Sequence, residues 1–531
     1  MIFLIGWIKV WIAVPVILIT AGAIAAWAFF GEKSNSIAVS EDKAKMIPEA
    51  VCALITLALC VLWCMASGLG GFVAQTPDWY KHNILLSDLI KLDYPIVYSF
   101  AEGKGVLCYY IADYLPAAVL ARILPSGKGG PFDTAQLILL LWTALGIFLA
   151  VLVLYLVFGR GRGYNLPLIF LGVFLFGTFI CPLSGLFRVW FPEDVRDGVQ
   201  WLSNAAWIQY SSNITLLSYV FPQLSSGLVA SALFYSFRDK PEIWGLILAP
   251  LVLHSTFVFL GMAVLMGTVF LVDVVFSKTW RTFRKLFSPW NLASLPVLAV
   301  LLIYILGNFL QSKPAGSAMG FEMIDYRGHI WTLIVFELSW LLWIFLLLYP
   351  GREPSLETGQ EPTLKAGQGL SSEAGQTARQ REGDSLHKTD RVLLISVSIS
   401  LFLYPFFTMG YYNDLCMRAS IPALLVLCIM VIRRLVEAFP VKPASNREEK
   451  AGNRETGDSW YAVLLIICLL LTGLGSVKEL TELYKSRNPD GKSYSAPYQS
   501  SEDFFMSNEF LQYQYVDWEP EGIISIVLKR R

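Results

Sequence analysis

Apolar residues fall in runs of about 18 or more along the whole chain, separated by shorter polar segments. That is the spacing of helices that cross a bilayer. The runs predict spans at 7–30, 48–68, 135–158, 165–187, 214–236, 242–258, 259–276, 289–310, 331–349, 391–409, 420–437 and 459–477. A helix satisfies its own backbone hydrogen bonds, as hydrocarbon requires. The expected fold is an all-α integral membrane protein with about 12 transmembrane helices. Its first long polar interruption, 69–134, has room for helices lying along the membrane interface.

The polar segments divide the chain further. Residues 1–47 read as an extra helix, retained rather than cleaved, with its following loop, and 48–350 as the main transmembrane module. Residues 351–390 are rich in Gly, Gln, Ser, Thr and Glu. Such a segment buries too little apolar surface to offset its ordering entropy, so a disordered linker is expected. Residues 391–477 supply the last helices, and 478–531 a polar, aromatic tail. The basic loops are Arg160/Arg162, Arg238/Lys240, Lys278–Lys285, 351–391 and 433–454. The positive-inside rule places them in the cytoplasm, with both termini, 69–134, 188–212, 311–330 and 410–419 outside. This requires 106–124 not to span. On a helical wheel Tyr109, Tyr110, Asp113 and Tyr114 fall within about 140° of one another, the pattern of an interfacial helix.

Composition agrees with the membrane reading: 55% of residues are hydrophobic and 15% charged, against roughly 25% charged in soluble domains. Lys plus Arg and Asp plus Glu each number 41, so nothing points to nucleic acid. The eight cysteines sit mostly in apolar runs, where cysteine acts as a small hydrophobe. Cys60 and Cys64 share a helix face without a nearby histidine, and no metal site is expected there.

Three polar clusters can carry chemistry. The first is Asp78-Trp79-Tyr80-Lys81-His82-Asn83. A helix there sets Asp78 and His82 on one face, a carboxylate beside two cationic side chains able to hold phosphate. A hydrated loop with a Trp/Tyr interface anchor explains the same residues. The second is Pro192-Glu193-Asp194-Val195-Arg196-Asp197, in which Glu193 and Asp194 are the acids that would take a divalent cation; a self-paired surface cluster is the plainer reading. Beyond it, Ser211 to Asn213 suit a helix cap. The third is Asn413-Asp414-Leu415-Cys416-Met417-Arg418, where Asp414 and Arg418 pair at i, i+4 or bind a ligand. An arginine at the membrane rim needs a partner and suits a phosphate headgroup. Of lesser weight, His254 reads as a helix-packing donor, Glu337 and Asp273 face the bundle interior, and Asp325, Arg327 and His329 lie in an outer loop.

The layout of a spanning helix, a long outer loop with an early aspartate, membrane-parallel helices and a second acidic outer loop resembles the GT-C superfamily of membrane glycosyltransferases. The strings around Asp78, Gln209–Asn213 and Asn413–Pro422 also look like those of bacterial membrane proteins of this build. The resemblance covers about 48–350. It implies sugar transfer from a polyprenyl-phosphate carrier to an acceptor outside a bacterial cell membrane. Asp78 then matches the catalytic carboxylate and Glu193 or Asp194 the second acid. Lys81, His82 and Arg418, with Asn83, Asp113, Asn213 and Asp414, form the substrate- and phosphate-binding set. The helix 7–30 is extra, and the second loop has no clear Asp-X-Glu. The runner-up is a transporter or flippase for a lipid-linked or polar solute; a third reading is an envelope-assembly scaffold without turnover.

Overall fold

A computed structural model of the chain describes residues 1–31, 43–100, 103–125, 129–160, 162–180, 182–183, 201–202, 208–277, 281–310, 321–327, 330–348, 389–409, 413–438, 455–485, 515–518 and 522–529. Ten described helices are long and apolar enough to cross a bilayer, and the chain is a multi-pass membrane protein. Two further apolar helices, Asn165–Leu175 and Pro241–His254, are shorter. Of the expected linker 351–390, residues 351–388 with His387 lie outside the described residues, as do His329 and the acidic cluster with Glu193 and Asp194, while Thr389 and Asp390 already belong to the helix that follows.

Two of the expected spans are therefore corrected. The helix beginning at Asn165 stops after Leu175, where Phe176 turns extended. Its eleven residues cover about 17 Å at 1.5 Å per residue, against the roughly 30 Å of a bilayer core. The backbone freed by this break is held by neighbours. Trp343 Nε1 donates to the Gly177 carbonyl at 2.8 Å, and Phe179 N donates to that of Ser339 at 2.8 Å. The 242–258 run is likewise divided, by Pro250 and by an extended Ser255, before a full-length helix starts at Thr256.

The helices sort by what surrounds them. Asn213–Ser236 and Leu415–Glu437 are central, the second 94% buried, whereas Val10–Phe30 is 17% buried and faces outward. The central Asn213–Ser236 helix carries Ser218, Gln223, Ser225, Ser226 and Ser231, all buried. Polar side chains in a membrane bundle face protein rather than lipid because each unsatisfied group in hydrocarbon is costly. Glu337 follows the same rule: it is buried and accepts from Trp340 Nε1 at 2.8 Å.

The stretch 106–124 is not one helix. Strand Gly103–Leu107 fills its start and helix Leu115–Ile123 its end, so the wheel reading is replaced by a bent segment. Nine helical residues reach about 14 Å, too short to span. Strand Gly103–Leu107 pairs with Val97–Phe100 on one side and with Val516–Asp517 on the other. Val516 and Asp517 of the tail are thus part of a sheet with the first loop. The tail's last described residues clasp the N-terminus: Lys9 N donates to the Val527 carbonyl and Lys529 N to that of Trp7, both at 2.9 Å. Trp7 stacks on Tyr94 with ring centroids 4.1 Å apart.

These contacts gather both termini and the first loop at one end of the bundle. At the other end Arg433 meets Asp390 at 2.9 Å, Arg238 meets Asp390 at 3.7 Å, and Lys285 meets Glu242 at 3.7 Å. Cysteines placed singly at Lys104 and Glu437, both exposed, should therefore react with an impermeant thiol reagent from opposite sides of sealed vesicles. Labelling of both from one side would break this arrangement.

Candidate functional site

The Asn213–Ser236 helix contains Pro222, and at Val220 its backbone leaves helical geometry (φ −137°, ψ 50°). Proline has no N–H to give to the carbonyl four residues back, which is that of Ser218. The 76–82 stretch takes up what the kink releases. Thr76 Oγ1 and Trp79 Nε1 both donate to the Ser218 carbonyl, at 3.3 and 3.1 Å. His82 Nε2 lies 3.1 Å from the Tyr219 carbonyl. Trp79 stacks on Phe221 at 5.3 Å between ring centroids. Helix Trp79–Lys91 is docked by these bonds, with Asp78 just before its first turn.

His82 is consequently a packing residue. A carbonyl only accepts, so Nε2 carries the proton and Nδ1 accepts from the Tyr114 hydroxyl at 2.5 Å. Burial and the Lys81 charge push its pKa down to about 3, leaving it neutral at physiological pH. The expectation that His82 supplies positive charge to a phosphate is corrected accordingly. Asn83 is equally committed: it donates to Gln75 Oε1 at 2.8 Å and accepts from Gln136 Nε2 at 2.6 Å. Asn213 donates to the Val173 carbonyl at 2.8 Å, inside the bundle. Asp88 accepts from the Tyr98 hydroxyl at 2.7 Å. The exposed Arg327 and Asp325 pair with each other at 2.6 Å.

Asp78, Lys81, Asp414 and Arg418 come together. Lys81 Nζ is 3.4 Å from Asp78 Oδ2, and Asp78 keeps 41% of its side chain open. Protein nevertheless surrounds it closely, so it lies in a recess that solvent still reaches. Burial raises the Asp78 pKa, but the charges of Lys81 and Arg418 outweigh it and hold the carboxyl below its ordinary range. Burial lowers the Lys81 pKa, yet Asp78 above all holds it above the ordinary lysine value. Arg418 sits in a π-helical turn, Leu415–Ala419, a distortion common at functional sites. Its guanidinium meets Asp414 at 3.1 Å and donates to the Tyr110 hydroxyl at 3.1 Å. Its buried Nε has no hydrogen-bond partner among the described residues.

Tyrosines wall this recess. Tyr110 also accepts from Gln223 Nε2 at 2.7 Å, and its ring tilts against Tyr109 at 3.8 Å between ring centroids. Tyr109 in turn tilts against Tyr515 at 4.2 Å. Lys81 lies near both Tyr515 and Tyr110. The tail residue Tyr515 and the helix residue Gln223 carry no sequence signal of their own. Only strand pairing and the Pro222 kink bring them here. Asp113 is directed elsewhere, to His254 Nδ1 at 2.9 Å. Among the described residues no three His, Cys, Asp or Glu side chains gather as a metal site.

Comparison with known proteins adds no relative: the chain matches no family model, no curated protein and no solved structure.

Gly261 is the neighbour that lets the π turn approach the Thr256–Ser277 helix, since a Cβ there would strike the Ala419 carbonyl. Gly261→Ala should cost about 1–3 kcal/mol, the usual range for overpacking. It should also displace Arg418, and the change is read as a lower Tm in detergent. An unchanged Tm would contradict the close approach.

Proposed function

We propose that the chain is a membrane glycosyltransferase moving a sugar from a polyprenyl-phosphate donor to an acceptor at the membrane face that holds the first loop. The observation that carries this reading is the recess where the accessible Asp78 carboxylate lies beside Lys81 and the field of Arg418. Cations at this point suit a departing phosphate, because preorganised charge stabilises what develops in the transition state. In this reading the carboxylate orients the acceptor hydroxyl and takes its proton as the acceptor oxygen bonds to the sugar. The bond from that sugar carbon to the phosphate oxygen breaks, and the phosphate leaves with the electron pair. The basic end of the bundle is assigned to the cytoplasm by loop charge, which sets the recess and both termini outside.

A second reading has its own observation. The backbone is broken at Val220 and again at Ser255, within apolar helical regions. Broken helices are also how transporters build substrate sites. Uptake of an intact lipid-linked solute into sealed vesicles, without bond cleavage, would decide for the transporter.

Asp78→Asn should reduce release of free lipid phosphate from polyprenyl-phosphate sugars by about 10²- to 10⁴-fold, the range of general-base catalysis. Full turnover by a folded variant would remove Asp78 from the mechanism. The pH profile tests its electrostatics separately. A carboxylate with a depressed pKa stays ionised as pH falls and is lost only through that lower value. The acid limb of turnover should therefore lie below the ordinary aspartate pKa of about 3.9. Lys81→Met should move that limb upward, since burial then opposes ionisation with less compensation. A limb that stays in place, whatever the height of the profile, would show that Asp78 does not set it.

A further inference from the structure

A cavity of about 310 Å³ lies among helices Gly130–Leu154, Asn213–Ser236 and Pro241–His254. It is near the small end of the about 300–1,000 Å³ typical of small-molecule pockets. Trp142, Leu145 and Leu149 line it and are 43%, 42% and 46% exposed. They belong to a candidate membrane span, so the cavity opens sideways, where lipid lies. Most of its wall is apolar, and Asp113, Ser225, Ser226 and His254 cluster in it as a polar end.

That end holds a hydrogen-bonded His–Asp pair. His254 Nδ1 donates to Asp113 Oδ2 at 2.9 Å, and Ser225 Oγ lies 3.5 Å from Asp113 Oδ1 and from the Pro222 carbonyl. Burial lowers the His254 pKa, but the Asp113 charge outweighs it and raises it above the ordinary value, which favours the protonated ring with N–H donors at both nitrogens. No hydrogen bond to Nε2 is made among the described residues. The Ser226 hydroxyl donates to the Pro222 carbonyl at 2.5 Å, and that of Thr143, also in the wall, to the Leu139 carbonyl at 2.8 Å. No lysine or arginine lines the cavity.

We propose that this cavity is a lateral binding site for a neutral lipid alcohol, its chain between Leu149, Leu233 and Ile247 and its hydroxyl oxygen accepting from His254 Nε2. The imidazolium and the carboxylate cancel, so an anionic phosphate finds no net positive charge there and an ammonium no net negative charge. The site is independent of the transferase reading, which concerns the cationic recess at Asp78 and Arg418.

The test uses the full chain in lipid nanodiscs and a hexadecanol bearing an alkyl diazirine, photolysed and mapped by peptide mass spectrometry. Adducts are expected in segments 142–149, 225–233 and 246–254. Excess plain hexadecanol should suppress them, and hexadecyl phosphate and hexadecylamine should not. In a variant with wild-type Tm, His254→Leu should weaken labelling by about fivefold, the loss expected for one hydrogen bond. Leu233→Trp, which fills the cavity, should abolish it. Adducts elsewhere, adducts insensitive to hexadecanol, or equal competition by the phosphate or the amine would each overturn the proposal. The competition arms need no variant, so a folding defect in either substitution leaves the test decisive.

Discussion

The interaction on which the rest depends is the capture of backbone carbonyls exposed by Pro222. A proline inside a helix costs about 3 kcal/mol when nothing compensates, and an unpaired buried carbonyl about 1–3 kcal/mol. Here the Ser218 carbonyl is bonded by Thr76 and Trp79, and that of Tyr219 by His82. The central helix is completed by a segment more than a hundred residues away in sequence. That segment is oriented by the same bonds, so Asp78 and Lys81 are held by main-chain geometry at Ser218 and Tyr219.

Charge is then partitioned between two neighbouring regions. The recess gathers Lys81 and Arg418, with Asp78 and Asp414 as their acidic partners. The lateral cavity holds Asp113 and His254 and no cationic lysine or arginine. Tyr110 and Tyr114 flank Asp113 in sequence and reach toward the Asp78 segment. Tyr110 bonds Arg418, and Tyr114 bonds His82. Gln223 and Ser225, two residues apart on the kinked helix, bond Tyr110 and Asp113 respectively. One helix segment thus shapes both regions while keeping their chemistries apart.

Much of the bundle was legible in the sequence because hydrocarbon imposes helix length and apolarity directly. The Asp414–Arg418 pair was legible from its i, i+4 spacing, as was the Asp78–Lys81 neighbourhood from residue types. The breaks at Phe176 and Ser255 were not, because an apolar run reads alike whether the backbone inside it is continuous or interrupted. The frustrated length is recovered only through partners such as Trp343 and Ser339, which are distant in sequence. His82 misled for a related reason. Its type signals chemistry, but its two ring nitrogens are spent on a kink that hydropathy does not reveal. His254, read as a packing donor, donates to Asp113, and that partner 141 positions away carried no signal in the sequence.

The strand at Val516–Asp517 has a consequence for the order of assembly. It is made after the ten membrane-crossing helices, yet it edges the first-loop hairpin, and Tyr515 beside it walls the recess. Lys9 is joined to Ser525 across 516 positions. Contacts of such sequence separation form late, since closing the intervening chain must precede any reward. A ribosome-bound chain with all its helices inserted still has an open-sided recess. The segment that follows the last membrane helix therefore acts as a clock, withholding a finished site until it has itself been made.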